Sequence, residues 1–115
     1  IEVKRENGGS VEYIYDGNGR LVSKESPDSL ISYFYNSEGS LIKTREERKD
    51  EILETEYRDG KVYSTSIYDP SFLLKSVRVT LSDGTYEETR YIDGVKRYVF
   101  HLDKDGERIL EAHGL

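Results

Sequence analysis

The chain has 115 residues, enough for one domain with a modest hydrophobic core. Charged residues make up 35% and hydrophobic residues only 35%, yet ten Tyr and three Phe argue against disorder, because aromatic side chains favour half-buried strands. The net charge of −6 comes from interleaved acidic and basic residues with no basic stripe and no long apolar run, which speaks against nucleic-acid binding and membrane insertion.

Two segments, 11–22 and 31–42, carry the same pattern twenty positions apart, Tyr-x-Tyr-(Asp/Asn)-x-x-Gly-x-Leu. The Asp/Asn/Gly tip supplies the positive φ that a tight hairpin turn needs. The flanking residues alternate, so that Val11, Tyr13 and Tyr15 share one face, as in a β-strand. Weaker copies of the tip follow in segments 57–62, 81–86, 91–95 and 100–109.

Between these units the sequence predicts a second set of turns, at Asn7–Gly9, Ser26–Asp28, Lys49–Glu51 and Asp69–Ser71. Segment 45–57 is rich in helix formers, but Ile52 and Leu53 make no helical stripe, and we place a turn near Asp50 instead. The stretch 69–74 reads as the longest irregular linker, without being a domain boundary.

Together these signals predict a single all-β domain spanning residues 1–115. We expect about ten strands of roughly 6–9 residues in an antiparallel meander of hairpin repeats. The sheet would be an open single layer or curled. The alternative is a closed up-and-down barrel around a small ligand, which needs one consistently apolar face. Polar residues such as Thr44, Glu54 and Thr89 weaken that alternative.

The first two units resemble the bacterial Tyr-Asp (YD, or RHS) repeat, Tyr-x-Tyr-Asp-x-x-Gly-Arg-Leu. Residues 13–21 match it in full, and residues 33–41 match it with Asn36 for Asp and Ser40 for Arg. The resemblance implies β-hairpin strips from large secreted or cell-surface proteins, some of them associated with carbohydrate binding. Residues 57–62 are similar to MORN-like antitoxin repeats, which implies an immunity or antitoxin-like protein partner.

Most candidate catalytic or metal-binding groups have a simpler structural interpretation. His101 lies in a strand pattern and His113 in the terminal tail, and no Ser-His-Asp triad is assigned. The run from His101 to Gly106 departs from a calcium loop at its key positions, so it predicts a turn. Glu46/Glu47 and Glu87/Glu88 would each point to opposite faces of a strand, and we interpret both pairs as solvated surface.

The tyrosines of the two clear repeats remain as candidate binding residues. Tyr13, Tyr15, Tyr33 and Tyr35 would form a cross-strand ladder if neighbouring units stack in register. Such a ladder stabilises a sheet, and where it is exposed it offers an aromatic platform to a protein or a sugar ring.

The sequence therefore favours a non-enzymatic structural or binding module that needs no cofactor or metal. We expect an extracellular or cell-surface location, although the absence of Cys also suits the cytoplasm. Because the chain has no Met and begins with Ile1, we expect a fragment or processed form of a longer protein. An open sheet would also leave two edge strands free to self-associate edge to edge.

Overall fold

The protein, analysed as a computed structural model, is described for residues 2–6 and 9–109. Its strands are β1 (Glu2–Glu6), β2 (Gly9–Tyr15), β3 (Leu21–Glu25), β4 (Ser29–Tyr35), β5 (Leu41–Arg48), β6 (Ile52–Arg58), β7 (Lys61–Tyr68), β8 (Leu74–Thr80), β9 (Tyr86–Ile92) and β10 (Val95–Leu102). Each strand pairs antiparallel with the next, so the order in the sheet equals the order in the chain. This confirms the all-β meander of about ten strands.

The sheet is open. In the part of the chain that the structure describes, contacts between strands join only successive partners, and β1 and β10 stand at opposite edges. The alternative of a closed barrel is therefore wrong. A barrel needs one apolar face to line its interior, and polar side chains occupy both faces of the middle strands. The particle measures 49 × 31 × 25 Å. Its radius of gyration is 16.7 Å, against about 13 Å for a compact domain of this length.

Strand pairing assigns residues to the two faces, because directly paired residues point the same way. One row across the sheet contains Tyr13, Lys24, Ile31, Glu46, Leu53, Ile67, Ser76, Arg90 and Tyr98. The next row on that face contains Tyr33, Thr44, Thr55, Thr65, Arg78, Glu88 and Phe100. We call this side the tyrosine face and the other the opposite face.

The hydrophobic core is small because, among the described residues, no second layer covers either face. In the described part of the chain the buried apolar side chains are Val11, Ile52 and Leu102, each about 5% exposed. Most other strand residues are half-buried between their cross-strand neighbours. Stability therefore comes mainly from side chains packed along rows within one layer.

Two kinds of turn close the repeated hairpin tips. Five-residue loops begin at Asp16, Asn36, Asp69, Leu81 and Asp103, with the first amide bonded to the fifth carbonyl. In four of them the first residue is Asp or Asn, and its Oδ1 accepts the amide protons two and four residues on. The shorter tips, Asp59-Gly60 and Asp93-Gly94, have positive φ at both residues, as a type I′ turn requires.

The remaining turns match the sequence in part. Hairpins turn at Ser26–Ser29 and at Arg48–Glu51, and residues 45–57 form strands on either side of that second turn. The predicted turn at Asp69–Ser71 is confirmed, whereas the irregular linker at 69–74 is wrong. Asp69 builds the same capped five-residue loop as the repeats, with Phe72 at φ 66° where they have Gly. The predicted turn at Asn7–Gly9 lies largely outside the described residues.

We expect alanine to be tolerated differently at the two type I′ turns. Gly60→Ala should lower the free energy of unfolding by about 1 kcal/mol, because φ of +76° is unfavourable for a residue with a Cβ. The added Cβ would meet no other atom within 4 Å, so backbone strain is the whole cost. Gly94→Ala should cost more, because its Cβ would also lie 3.1 Å from Cδ1 of Leu73. Urea denaturation of both variants measures the difference, and equal losses would contradict the contact with Leu73.

Candidate functional site

The candidate site lies on the tyrosine face over β4, β5 and β6. Here a shallow hollow of about 300 Å³ crosses three strands. It is lined by Ile31, Tyr33, Thr44, Glu46, Leu53, Thr55 and Tyr57. These residues meet because Ile31 pairs with Glu46 and Glu46 with Leu53, while the next row pairs Thr44 with both Tyr33 and Thr55.

The hollow combines apolar and polar chemistry. Ile31 and Leu53 supply aliphatic surface, and Tyr33 and Tyr57 supply aromatic rings. The hydroxyls of Thr44 and Thr55 and the carboxylate of Glu46 can each hydrogen-bond to a ligand. A ligand with a flat apolar side and polar edges would match this arrangement.

The electrostatics of the hollow centre on Tyr33. Burial raises the pKa of its phenol above the usual value of 10.0, and the nearby Tyr35, Tyr13, Glu46 and Tyr57 add to the shift. Tyr33 therefore stays protonated at neutral pH and keeps a hydroxyl that can both donate and accept.

An arginine holds Glu46 at the rim of the hollow. Arg48 donates from Nε to Oε2 of Glu46 at 2.9 Å and from Nη2 to Oε1 at 3.3 Å. Arg48 also lies 3.5 Å from the Oε1 atom of Glu51. The bidentate contact fixes the position of the Glu46 carboxylate beside the hollow.

The structure places the four sequence-predicted tyrosines in different roles. Tyr33 lines the hollow, whereas the hydroxyl of Tyr35 donates to the carbonyl of Leu21 at 2.6 Å and Arg20 lies over its ring. Tyr13 lies two strands away, with the Lys24 ammonium 5.7 Å from its ring centroid. Tyr15 is 43% exposed near the end of β2.

The expected ladder of directly paired tyrosines does not form between the two repeats. Each repeat unit contributes two strands, so β3 separates β2 from β4. Tyr13 is therefore paired with Lys24, and Lys24 with Ile31, instead of tyrosine with tyrosine.

Sequence reasoning missed Tyr57 and Glu46 as members of this site. Tyr57 lies in β6 just before the Asp59-Gly60 tip. Because this third tip is shorter than the first two, the sequence did not show that Tyr57 is equivalent to the tyrosines of the earlier repeats. Glu46 and Glu47 do point to opposite faces, Glu46 pairing with Leu53 and Glu47 with Ile52. That pairing brings Glu46 into the hollow, which periodicity along one strand could not show.

The interpretation of Glu87/Glu88 as solvated surface is wrong for Glu88. Glu88 is only 8% exposed, and it lies between the guanidinium groups of Arg78 and Arg90. Burial acts to raise its pKa, but the hydrogen bonds from the two arginines outweigh it and lower the pKa below 4.5.

The remaining candidates have structural roles. His101 is exposed and pairs across the strands with Glu87, and His113 lies outside the described residues. Asp103 accepts amide protons from Asp105 and Glu107 within its loop. Across residues 2–6 and 9–109, no group of three or more His, Asp or Glu side chains could hold a metal ion.

A larger concavity of about 610 Å³ lies at one end of the sheet, between the turns that join β3 to β4 and β5 to β6. Its walls are the residues of 25–30 and 47–51, with charges of both signs and no aromatic ring. It is a gap between two neighbouring hairpins. The hollow around Tyr33 and Tyr57, which we call the tyrosine hollow, remains the candidate site because aromatic rings line it.

The fold and this hollow define a single-layer antiparallel β-sheet protein with an aromatic concavity on one face. Comparison with protein-family models and with curated proteins finds no match for the chain. Within the described ranges, the structure contains no helix long and apolar enough to cross a membrane.

Proposed function

We propose that the protein is a non-enzymatic binding module that holds a carbohydrate against the tyrosine hollow. One observation carries the proposal: a single open concavity contains two tyrosine rings, Tyr33 and Tyr57, together with aliphatic side chains and hydroxyl groups. A sugar ring presents an apolar C–H side and polar hydroxyl edges, which correspond to these two kinds of wall.

The chemistry of the hollow favours binding over catalysis. General acid–base or nucleophilic work needs a titratable group poised near neutral pH or an activated nucleophile. The carboxylate of Glu46 is occupied by Arg48, and the pKa of Tyr33 is raised away from neutrality. Both groups are better suited to hydrogen-bonding a ligand than to moving its protons.

The resemblance of the first two repeats to Tyr-Asp repeats supports placing this module in a bacterial secreted or cell-surface protein. A protein partner seated on the same rings is the second candidate, because tyrosine is also enriched in protein interfaces. The shallow, open form of the hollow suits an extended glycan chain or a surface strip of a protein better than an enclosed small molecule.

We expect a glycan-array screen to identify a bound sugar, and isothermal titration to locate it in the hollow. Tyr33→Ala and Tyr57→Ala should each weaken binding by about tenfold, because an aromatic contact contributes about 1 kcal/mol or more. Tyr91→Ala is the matched control, since Tyr91 follows Arg90 on β9 and belongs to the opposite face. The affinity of the Tyr91→Ala variant for the sugar should be unchanged.

Two results would contradict the carbohydrate proposal. One is the absence of glycan binding by a protein that circular dichroism shows to be folded. The other is equal weakening by Tyr91→Ala, which would mean that the ligand does not sit in the hollow.

A further inference from the structure

A second cluster occupies the tyrosine face over β8, β9 and β10, away from the hollow. Its centre is the buried carboxylate of Glu88. Arg78 donates from Nε and Nη2 to Oε1 of Glu88, at 3.1 and 2.8 Å. Arg90 donates from Nε to Oε2 at 2.9 Å.

A third arginine joins the cluster through an aromatic ring. The guanidinium of Arg108 lies 3.9 Å from the centroid of Phe100, and that of Arg90 lies 5.0 Å from the same centroid. Phe100 pairs directly with Glu88 across β9 and β10. Both guanidinium groups therefore contact the Phe100 ring by cation–π interaction.

The cluster carries more positive than negative charge. Arg78 and Arg90 contact the Glu88 carboxylate, and Arg108 adds a third guanidinium on the neighbouring Phe100 ring. The lowered pKa of Glu88 keeps its carboxylate ionised at neutral pH. By comparison, Arg48 lies between two carboxylates, those of Glu46 and Glu51. On a chain whose net charge is −6, the surplus around Glu88 is local.

Hydrogen-bond donors remain available at this cluster. Among the described residues, nothing accepts a hydrogen bond from Nη1 of Arg78, from Nη1 and Nη2 of Arg90, or from the Arg108 guanidinium. The side chains of Arg78 and Arg90 are 43% and 54% exposed, so solvent and ligands can reach them.

Two adjoining hollows offer space for a ligand beside these donors. One, of about 290 Å³, is lined by Thr65, Ile67, Ser76, Arg78 and Glu88. The other, of about 330 Å³, is lined by Glu51, Ile67, Lys75, Ser76, Glu88 and Arg90. The hydroxyl of Ser76 belongs to both, while the carboxylates of Glu88 and Glu51 border the space as well.

We infer that this cluster is an anion-binding site, in which Arg78, Arg90 and Arg108 take an oxyanion such as a phosphate or carboxylate group. Glu88 is the positioning residue, because it engages Nε and Nη2 of Arg78 and Nε of Arg90, and leaves Nη1 of Arg78 and both terminal nitrogens of Arg90 for the ligand. Guanidinium groups match the geometry of such oxygens and form charge-assisted hydrogen bonds with them. The site is separate from the tyrosine hollow and does not depend on the function proposed for it.

The test is an NMR titration of the arginine Nε–Hε resonances with sodium phosphate and, separately, sodium acetate, at constant ionic strength maintained with sodium chloride. We expect saturable shifts at Arg78, Arg90 and Arg108. Saturation by both probes supports a general oxyanion site, and saturation by phosphate alone supports the same site with a preference for a tetrahedral group.

Variants separate the site from general charge effects. Arg108→Gln should weaken phosphate binding about threefold to tenfold without unfolding the protein, because Arg108 makes no ion pair in the described part of the chain. Arg90→Gln should weaken it at least as much. Arg58→Gln is the control with the same change in net charge, because Arg58 ends β6 in an ion pair with Glu56 and neither residue lines the two hollows. It should have no effect.

Shifts that rise linearly and equal those caused by chloride alone would overturn the inference. Equal weakening by Arg58→Gln and Arg108→Gln would overturn it as well, because binding would then follow net charge and not this cluster.

Discussion

Replacing Glu88 with alanine is expected to lower the free energy of unfolding by about 2–3 kcal/mol. The change removes the one carboxylate between Arg78 and Arg90 and leaves their positive charges facing each other. The loss stays below that of a fully buried ion pair because both arginine side chains are about half exposed. Urea denaturation at neutral pH measures it.

Glu87→Ala is the matched control for this prediction. Glu87 is the neighbouring residue on the same strand, but it belongs to the opposite face and pairs with Val79 and His101. We expect its replacement to change the free energy of unfolding by less than about 0.5 kcal/mol. A Glu88 variant as stable as the Glu87 variant would contradict the structural role of the cluster.

The contribution of Glu88 should also depend on pH in a defined direction. Its pKa is lower in the folded protein than the ordinary 4.5, so the folded state favours the ionised form. The stabilisation is therefore fully present above pH 4.5 and is lost as the pH falls through the folded pKa. The stability difference between wild type and Glu88→Ala should accordingly shrink in acid, and a constant difference down to pH 2 would argue against it.

Ile52→Ala is expected to lower the free energy of unfolding by about 2 kcal/mol, at the lower end of values for buried isoleucine. Ile52 is 4% exposed and packs on the opposite face between its cross-strand partners Glu47 and Tyr68. Ile92→Ala provides the same chemical change at a site 50% exposed, and it should cost less than about 0.5 kcal/mol. Chemical denaturation of the two variants compares them directly, and similar losses would show that burial in this single layer contributes little.

The two destabilising changes should act on different parts of the sheet. Only successive strands contact each other, so the molecule behaves approximately as a one-dimensional array of strand pairs. Hydrogen exchange should show lost protection mainly in β5–β7 for Ile52→Ala and in β8–β10 for Glu88→Ala. Uniform loss over all strands in both variants would indicate a more cooperative sheet than the contacts suggest.

Local signals predicted most of the fold correctly because the fold is itself local. A meander pairs each strand with its neighbour in sequence, so period-two alternation and turn residues are nearly sufficient to order it. The Asp16 and Asn36 loops and the turn near Asp50 follow from this chemistry. The turn at Asp69–Ser71 follows from it too, but the likeness of this turn to the repeat loops does not, because Phe72 stands at the positive-φ position where Gly is the usual signal.

The candidate sites were less accessible to sequence reasoning. Tyr33 was identified from its repeat, but Tyr57 and Glu46 reach the same hollow only through the pairing of β4, β5 and β6. Likewise, Glu88 belongs to a pair that the sequence predicts to be solvated surface, and Phe100 lies in a predicted strand that begins a degenerate repeat segment. Nothing in either segment indicates that the two side chains would meet.

The sequence by itself determined the all-β class, the meander order and the turn chemistry, since each depends on residues close together in the chain. The tertiary structure alone decided that the sheet stays open and does not close into a barrel. It also decided which side chains gather around Tyr33 and around Glu88. The physical reason is register, because a shift of one residue between two strands moves every side chain to the other face.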